Sequence, residues 1–131
     1  DLNKYADFVD GVTSNPSKDY KSFLDALEYL DGEGSNIHRL LTAAVGINAE
    51  GGEFMEIVKK MVFQGKPWND DNRKHLTIEL GDVMWYVMQA CMALEIPLDE
   101  VIAGNVEKLK KRYPGGEFNV YQSENRAEGD L

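Results

Sequence analysis

Apolar residues recur every three or four positions over two long stretches, a period that long helices satisfy and strands do not. In the first stretch Ile37, Leu40, Leu41, Ala44, Val45, Ile47, Phe54, Ile57, Val58 and Met61 predict a helix over about 36–63. The second, rich in Leu, Ile, Val, Met and Ala, predicts a helix over about 71–94. Between them, Gly65-Lys66-Pro67-Trp68-Asn69-Asp70-Asp71-Asn72 is a polar loop with strong breakers. Pro97 stops the second helix, and Asp99 and Glu100 suit the first turn of another, about 98–113, that ends at Pro114-Gly115-Gly116. Shorter helical spacing marks 2–12 and 19–30, with Ser17 or Asp19 as a cap for the latter. Residues 13–17 read as a turn cluster, and 119–131 as a polar tail or partner-facing arm. No segment keeps the alternation of a strand, and no repeat or domain boundary is visible. The expectation is one all-α domain over 1–131, a bundle of four or five helices joined by short loops.

A chain of 131 residues can build a core without staples. Its 14 Lys+Arg against 23 Asp+Glu give a net charge of −9. That balance argues against a nucleic-acid partner and against an anionic membrane surface. A phosphate-bearing small molecule stays possible, because a bound metal inverts the local field. No apolar run approaches the ~20 residues of a membrane span, and no signal peptide is visible. Cys91 is the single cysteine, so no disulfide forms within the chain, and with only His38 and His75 beside it structural zinc is nearly excluded. This usage fits a reducing, cytoplasmic setting.

Chemistry concentrates in two short patterns, Glu50-Gly51-Gly52-Glu53 and Glu79-Leu80-Gly81-Asp82. Each sets two carboxylates at i and i+3, on one helix face. Such pairs usually mark a solvated face, but the context here differs. Leu40 through Ala49 carries no charge before Glu50, and between Leu80 and Leu94 the only charged residue is Asp82. Both helices therefore read as buried, and a buried carboxylate needs a partner. The donors are all oxygen, which fits Mg²⁺, or Mn²⁺ in its place, better than zinc or copper. Gly51, Gly52 and Gly81 read either as room for a metal and phosphates or as close helix packing. His38 and His75 have Ser35 and Asn72 three residues before them, so the Glu-x-x-His pattern of di-iron bundles is missing, and both read as structural or exposed. Cys91 reads as a small buried hydrophobe.

Glu50-x-x-Glu53, a spacer of about 25 residues and Glu79-x-x-Asp82 together resemble the MazG-like nucleoside triphosphate pyrophosphohydrolases. Ala44-Val45-Gly46-Ile47 before the first pair and Gly81 to Tyr86 around the second agree with that family. So does Asn105-Val106-Glu107-Lys108-Leu109 followed by Lys111-Arg112-Tyr113-Pro114. The resemblance covers roughly 36–118. It implies a four-helix-bundle-like fold, here with short additional N-terminal helices, working as a homodimer or homotetramer. It implies Mg²⁺-dependent hydrolysis of a (d)NTP to the monophosphate and pyrophosphate, for cleansing or adjusting nucleotide pools. Glu50, Glu53, Glu79 and Asp82 match the family's metal-binding acids, and Glu53 is taken as the base that positions water. All-α dUTP hydrolases and phosphoribosyl-ATP hydrolases are relatives by fold.

Within that reading, Lys60 lies seven residues after Glu53 on the same face and can meet a phosphate; a solvated lysine at a helix end is the plain alternative. Tyr86, one turn after Asp82, can reach the sugar or a phosphate, or be an ordinary core aromatic. Asn105 and Lys108 are substrate contacts by family likeness, and Arg112 less so, since a basic last turn also complements the helix dipole. Trp68 reads as a cap on the core or a subunit contact more than a base-stacking residue, and Trp85 as core or interface. The competing function is a non-catalytic helical interaction module, whose apolar faces form a dimer seam.

Overall fold

The computed structural model describes residues 1–126 and Gly129. Among the described residues there are seven helices and no strand: α1 (Leu2–Gly11), α2 (Asn15–Lys18), α3 (Tyr20–Gly32), α4 (Ile37–Gln64), α5 (Asp70–Leu94), α6 (Leu98–Arg112) and α7 (Val120–Glu124). The all-α expectation holds, and the bounds of the long helices fall within a residue of those read from periodicity.

Caps explain where the helices begin and end. The Asp19 carboxylate accepts from the Ser22 backbone N–H at 3.0 Å and opens α3. Asn36 does the same for α4 through Arg39 N–H, and Asn69 for α5 through Asn72 N–H at 2.9 Å. Gly65 closes α4 in the left-handed region at φ 71°, its N–H donating to the Lys60 carbonyl. In α6, Asp99 and Glu100 occupy the first turn and Lys110, Lys111 and Arg112 the last, matching the helix dipole at both ends.

Two segments depart from the expectation. The turn cluster at 13–17 overlaps α2, because Pro16 sits at the start of the helix, where its missing N–H costs nothing. The expected tail lies partly outside the described residues, and its described part carries α7, capped by Asn119.

The chain divides into two compact units, the first spanning Asp1–Leu94 and the second starting at Glu95. In the first, α4 and α5 form the dominant pair. They run antiparallel: Arg39 Nε donates to Gln89 Oε1 at 2.9 Å at one level, and Gly46 meets Tyr86 further along. α3 packs against α2 and more lightly against α4. Lys18 ties α2 back to α1 with an ion pair to Asp10 at 3.1 Å. The second unit holds α6 and α7, with Tyr113 and Phe118 in ring contact, centroids 5.7 Å apart, after the α6 C-terminus.

The expected burial of the two long helices needs correction. Only Ala43, Gly46 and Ile57 of α4 and Cys91 of α5 are buried. Trp85 is 57% exposed and Phe63 78%. Two helices side by side cover one stripe of each other, so a helix that is apolar all round keeps its remaining faces open.

Candidate metal centre and the cavity beside it

The antiparallel pairing of α4 and α5 brings the two acidic motifs to one level. One carboxylate oxygen each from Glu50, Glu79 and Asp82 lies within 4.8 Å of the others. Glu50 comes from α4, while Glu79 and Asp82, one turn apart, come from α5. Glu53 stands one turn beyond Glu50, exposed and outside this group of three. It still acts on the group by charge. The Glu50 carboxyl is raised above its ordinary value, first by desolvation, then by a hydrogen bond with Glu79, then by the charges of Asp82, Glu79 and Glu53. A hydrogen bond between two carboxyl groups needs a proton between them.

That shift describes a site short of positive charge. Among the described residues, His75 is the group seen to pair with the trio: its Nε2 lies 3.3 Å from Glu79 Oε1, one turn earlier on α5. The Glu79 side chain is 13% exposed. Three converging oxygens with a cation deficit suit a hard divalent ion such as Mg²⁺ or Mn²⁺. Asp82, expected to be buried, is exposed, so the trio opens to solvent and to an incoming ligand.

The other sequence candidates differ in where they lie. Tyr86 is at the site: with Glu50, Asp82 and Trp85 it lines a cleft of about 340 Å³. Lys60 sits on the acidic face of α4, 3.6 Å from Glu56, which also draws Lys59 at 3.5 Å. Asn105 and Lys108 are exposed on α6, in the second unit. Arg112 ends the same helix. Trp68 is 70% exposed in the α4–α5 loop. Cys91 is buried and free, as expected of a small hydrophobe.

Three features escaped the sequence reading. His75 has its partner in Glu79, four residues later, a spacing legible in the sequence. Trp85 belongs to the cleft wall, edge-on to Tyr86 with centroids 4.9 Å apart, and not to the core. The glycine that permits close approach is Gly46: a Cβ there would overlap the Tyr86 ring. Gly51, Gly52 and Gly81, expected to mark tight packing or room for a metal, face open space within the chain.

Behind Tyr86 lies a second, larger cavity of about 750 Å³, between α3 and α4. Leu27, Ile37, Leu41 and Val45 give it apolar walls, and Glu28 and Asp31 stand at it from α3. His38 and Thr42 complete the α4 side, the Thr42 hydroxyl donating to the His38 carbonyl at 3.1 Å.

Comparison with known proteins adds a family. Residues 39–116 match the MazG nucleotide pyrophosphohydrolase domain. The chain is similar to the Gene 37 protein of Mycobacterium phage L5, 37% identical over 87 residues, which cover 65% of this chain and 75% of that protein. No solved structure matches it. Among the described residues no helix is long and apolar enough to cross a membrane.

Proposed function

The chain belongs to the family of MazG nucleotide pyrophosphohydrolase domains, and on that footing we propose that it hydrolyses a nucleoside triphosphate to the monophosphate and pyrophosphate with Mg²⁺. The observation that carries this reading is the convergence of Glu50, Glu79 and Asp82 across α4 and α5. These three would hold the cation, and Glu53 lies one turn away. When bound, the cation neutralises the triphosphate and stabilises the charge that develops on it. Glu53 orients a water and accepts its proton as the water oxygen bonds to the α-phosphorus. The bond from that phosphorus to the bridging oxygen breaks, and pyrophosphate leaves with the electron pair. His75 holds Glu79 through its Nε2. Tyr86 lies along the bound nucleotide. Lys60 meets the phosphates, and Asn105 and Lys108 on α6 are the further candidates for substrate contact by family likeness.

The exposed apolar faces of α4 and α5 support assembly as a homodimer or homotetramer, since large open apolar patches mark protein contacts. The charge of −9 does not favour a nucleic acid or an anionic membrane surface as partner. Cleansing or adjusting the nucleotide pool in a cytoplasm is the role this activity fits.

The test is to incubate the protein with Mg²⁺ and each common NTP and dNTP, dUTP included, and separate the products. Monophosphate plus pyrophosphate is expected. Diphosphate plus orthophosphate would refute attack at the α-phosphorus. A folded protein that turns over none of them, with Mn²⁺ also tried, would favour the non-catalytic interaction module. Glu53→Gln is expected to abolish turnover while the cation still binds; near-normal turnover would remove Glu53 as the base.

A further inference from the structure

We propose that the cavity between α3 and α4 takes the base of the nucleotide and prefers bases that carry an amino group. This deepens the pyrophosphohydrolase reading and rests on it for the word nucleotide. Four observations lead there. The cavity, at about 750 Å³, falls within the roughly 300–1,000 Å³ of small-molecule sites, and its walls are largely apolar, as a flat aromatic ligand needs. No Lys or Arg lines it, so it offers nothing to a phosphate. Tyr86 lines both this cavity and the acidic cleft, so one ligand can cross Tyr86 with its phosphates on the acid side and its base on the other. Gly46, buried beneath the ring, lets Tyr86 sit close to α4 between the two spaces.

The polar groups decide which base. Glu28 and Asp31 stand three residues apart on α3 and both line the cavity. Ionised carboxylates accept hydrogen bonds and donate none. Adenine, cytosine and guanine present amino donors, whereas the thymine edge presents a carbonyl acceptor at the matching position, and uracil shares it. Uracil and thymine offer one donor on that edge, N3–H, between two carbonyl oxygens, and a carbonyl oxygen facing a carboxylate is repelled and left unpaired. Leu27, Glu28, Asp31 and Ile37 all precede the family-matched segment 39–116. The preference therefore belongs to a helix this chain places against the family domain.

Deoxycytidine and deoxyuridine test this directly, because they share a shape and carry no phosphate. Each is titrated into the ¹⁵N-labelled full chain in EDTA, and amide shifts are followed. Shifts in α3 and the first half of α4 are expected, with deoxycytidine binding about tenfold more tightly. The variant E28Q/D31N, altered at exposed positions, is expected to bring the two affinities within about threefold, since its amides both donate and accept. Equal affinities in the unmodified protein, or no shifts around the cavity because a second copy covers it, would overturn the proposal. Failure of the two readings separates cleanly. Selective deoxycytidine binding without cleavage of any triphosphate refutes the enzyme and leaves the base site. Cleavage of dCTP and dUTP at equal kcat/KM refutes the base site and leaves the enzyme.

Discussion

Each acid of the trio has a different neighbourhood, and each substitution should read out differently. Glu79→Gln or Asp82→Asn removes an oxygen donor. Turnover is expected to fall by on the order of 10²-fold or more, since cation stabilisation of a phosphoryl transition state is worth several kcal/mol. Millimolar Mn²⁺ should raise the melting temperature of the unmodified protein by mass action, and the same variants should lose that rise. His75→Ala leaves the donors in place and removes what orients Glu79, so calorimetry should find cation affinity weakened by about tenfold. Glu50 carries the pH dependence. Its carboxyl is raised in the folded chain, so the folded state holds this proton more tightly than the unfolded state does. In EDTA, that stabilising contribution is complete below the ordinary glutamate range and is lost as pH rises through the raised value. Melting temperatures measured upward from about pH 4 should show this decline, and Glu50→Gln should flatten it. The four acids were legible in the sequence as two i, i+3 pairs within charge-free stretches. What it did not order was their grouping. Glu50, Glu79 and Asp82 converge while Glu53 stands outside, because the register of α4 against α5 is set by packing such as Gly46 on Tyr86.

The helices themselves follow from local rules, and their ends were readable for that reason. Asn36, Asn69 and Gly65 are cap residues in cap positions, and they bound α4 and α5 within a residue of the periodicity. The short helices were less legible: α2 rests on Pro16 near its N-terminus and α7 on a single Asn119 cap, with too few turns for any period to show. Asn36→Ala should cost about 1 kcal/mol in denaturant unfolding, the ordinary worth of an N-cap. Gly46→Ala should cost more, about 1–3 kcal/mol, because the added methyl meets the Tyr86 ring where the helices touch. Gly51→Ala serves as its control. It has open space around it and trades a flexible residue for a better helix former, so stability should hold or rise slightly.

At the scale of the whole molecule, the sequence announced two strongly apolar helices and left open what covers them. α4 and α5 cover each other along one stripe, and Val62, Phe63 and Met55 remain 66%, 78% and 59% exposed. Hydrophobicity records that a face seeks cover, not whether the cover is another helix or another chain. Sedimentation equilibrium should give a mass of two or four times 14.8 kDa, and Phe63→Glu should shift it toward the monomer. The central claim concerns the reaction: a cation held by Glu50, Glu79 and Asp82 serves attack by water at the α-phosphorus. Turnover in H₂¹⁸O with Mg²⁺ and mass analysis of both products tests it most directly. Label in the nucleoside monophosphate, with unlabelled pyrophosphate, is the predicted result. Label in the pyrophosphate would place the attack at the β-phosphorus and contradict the account.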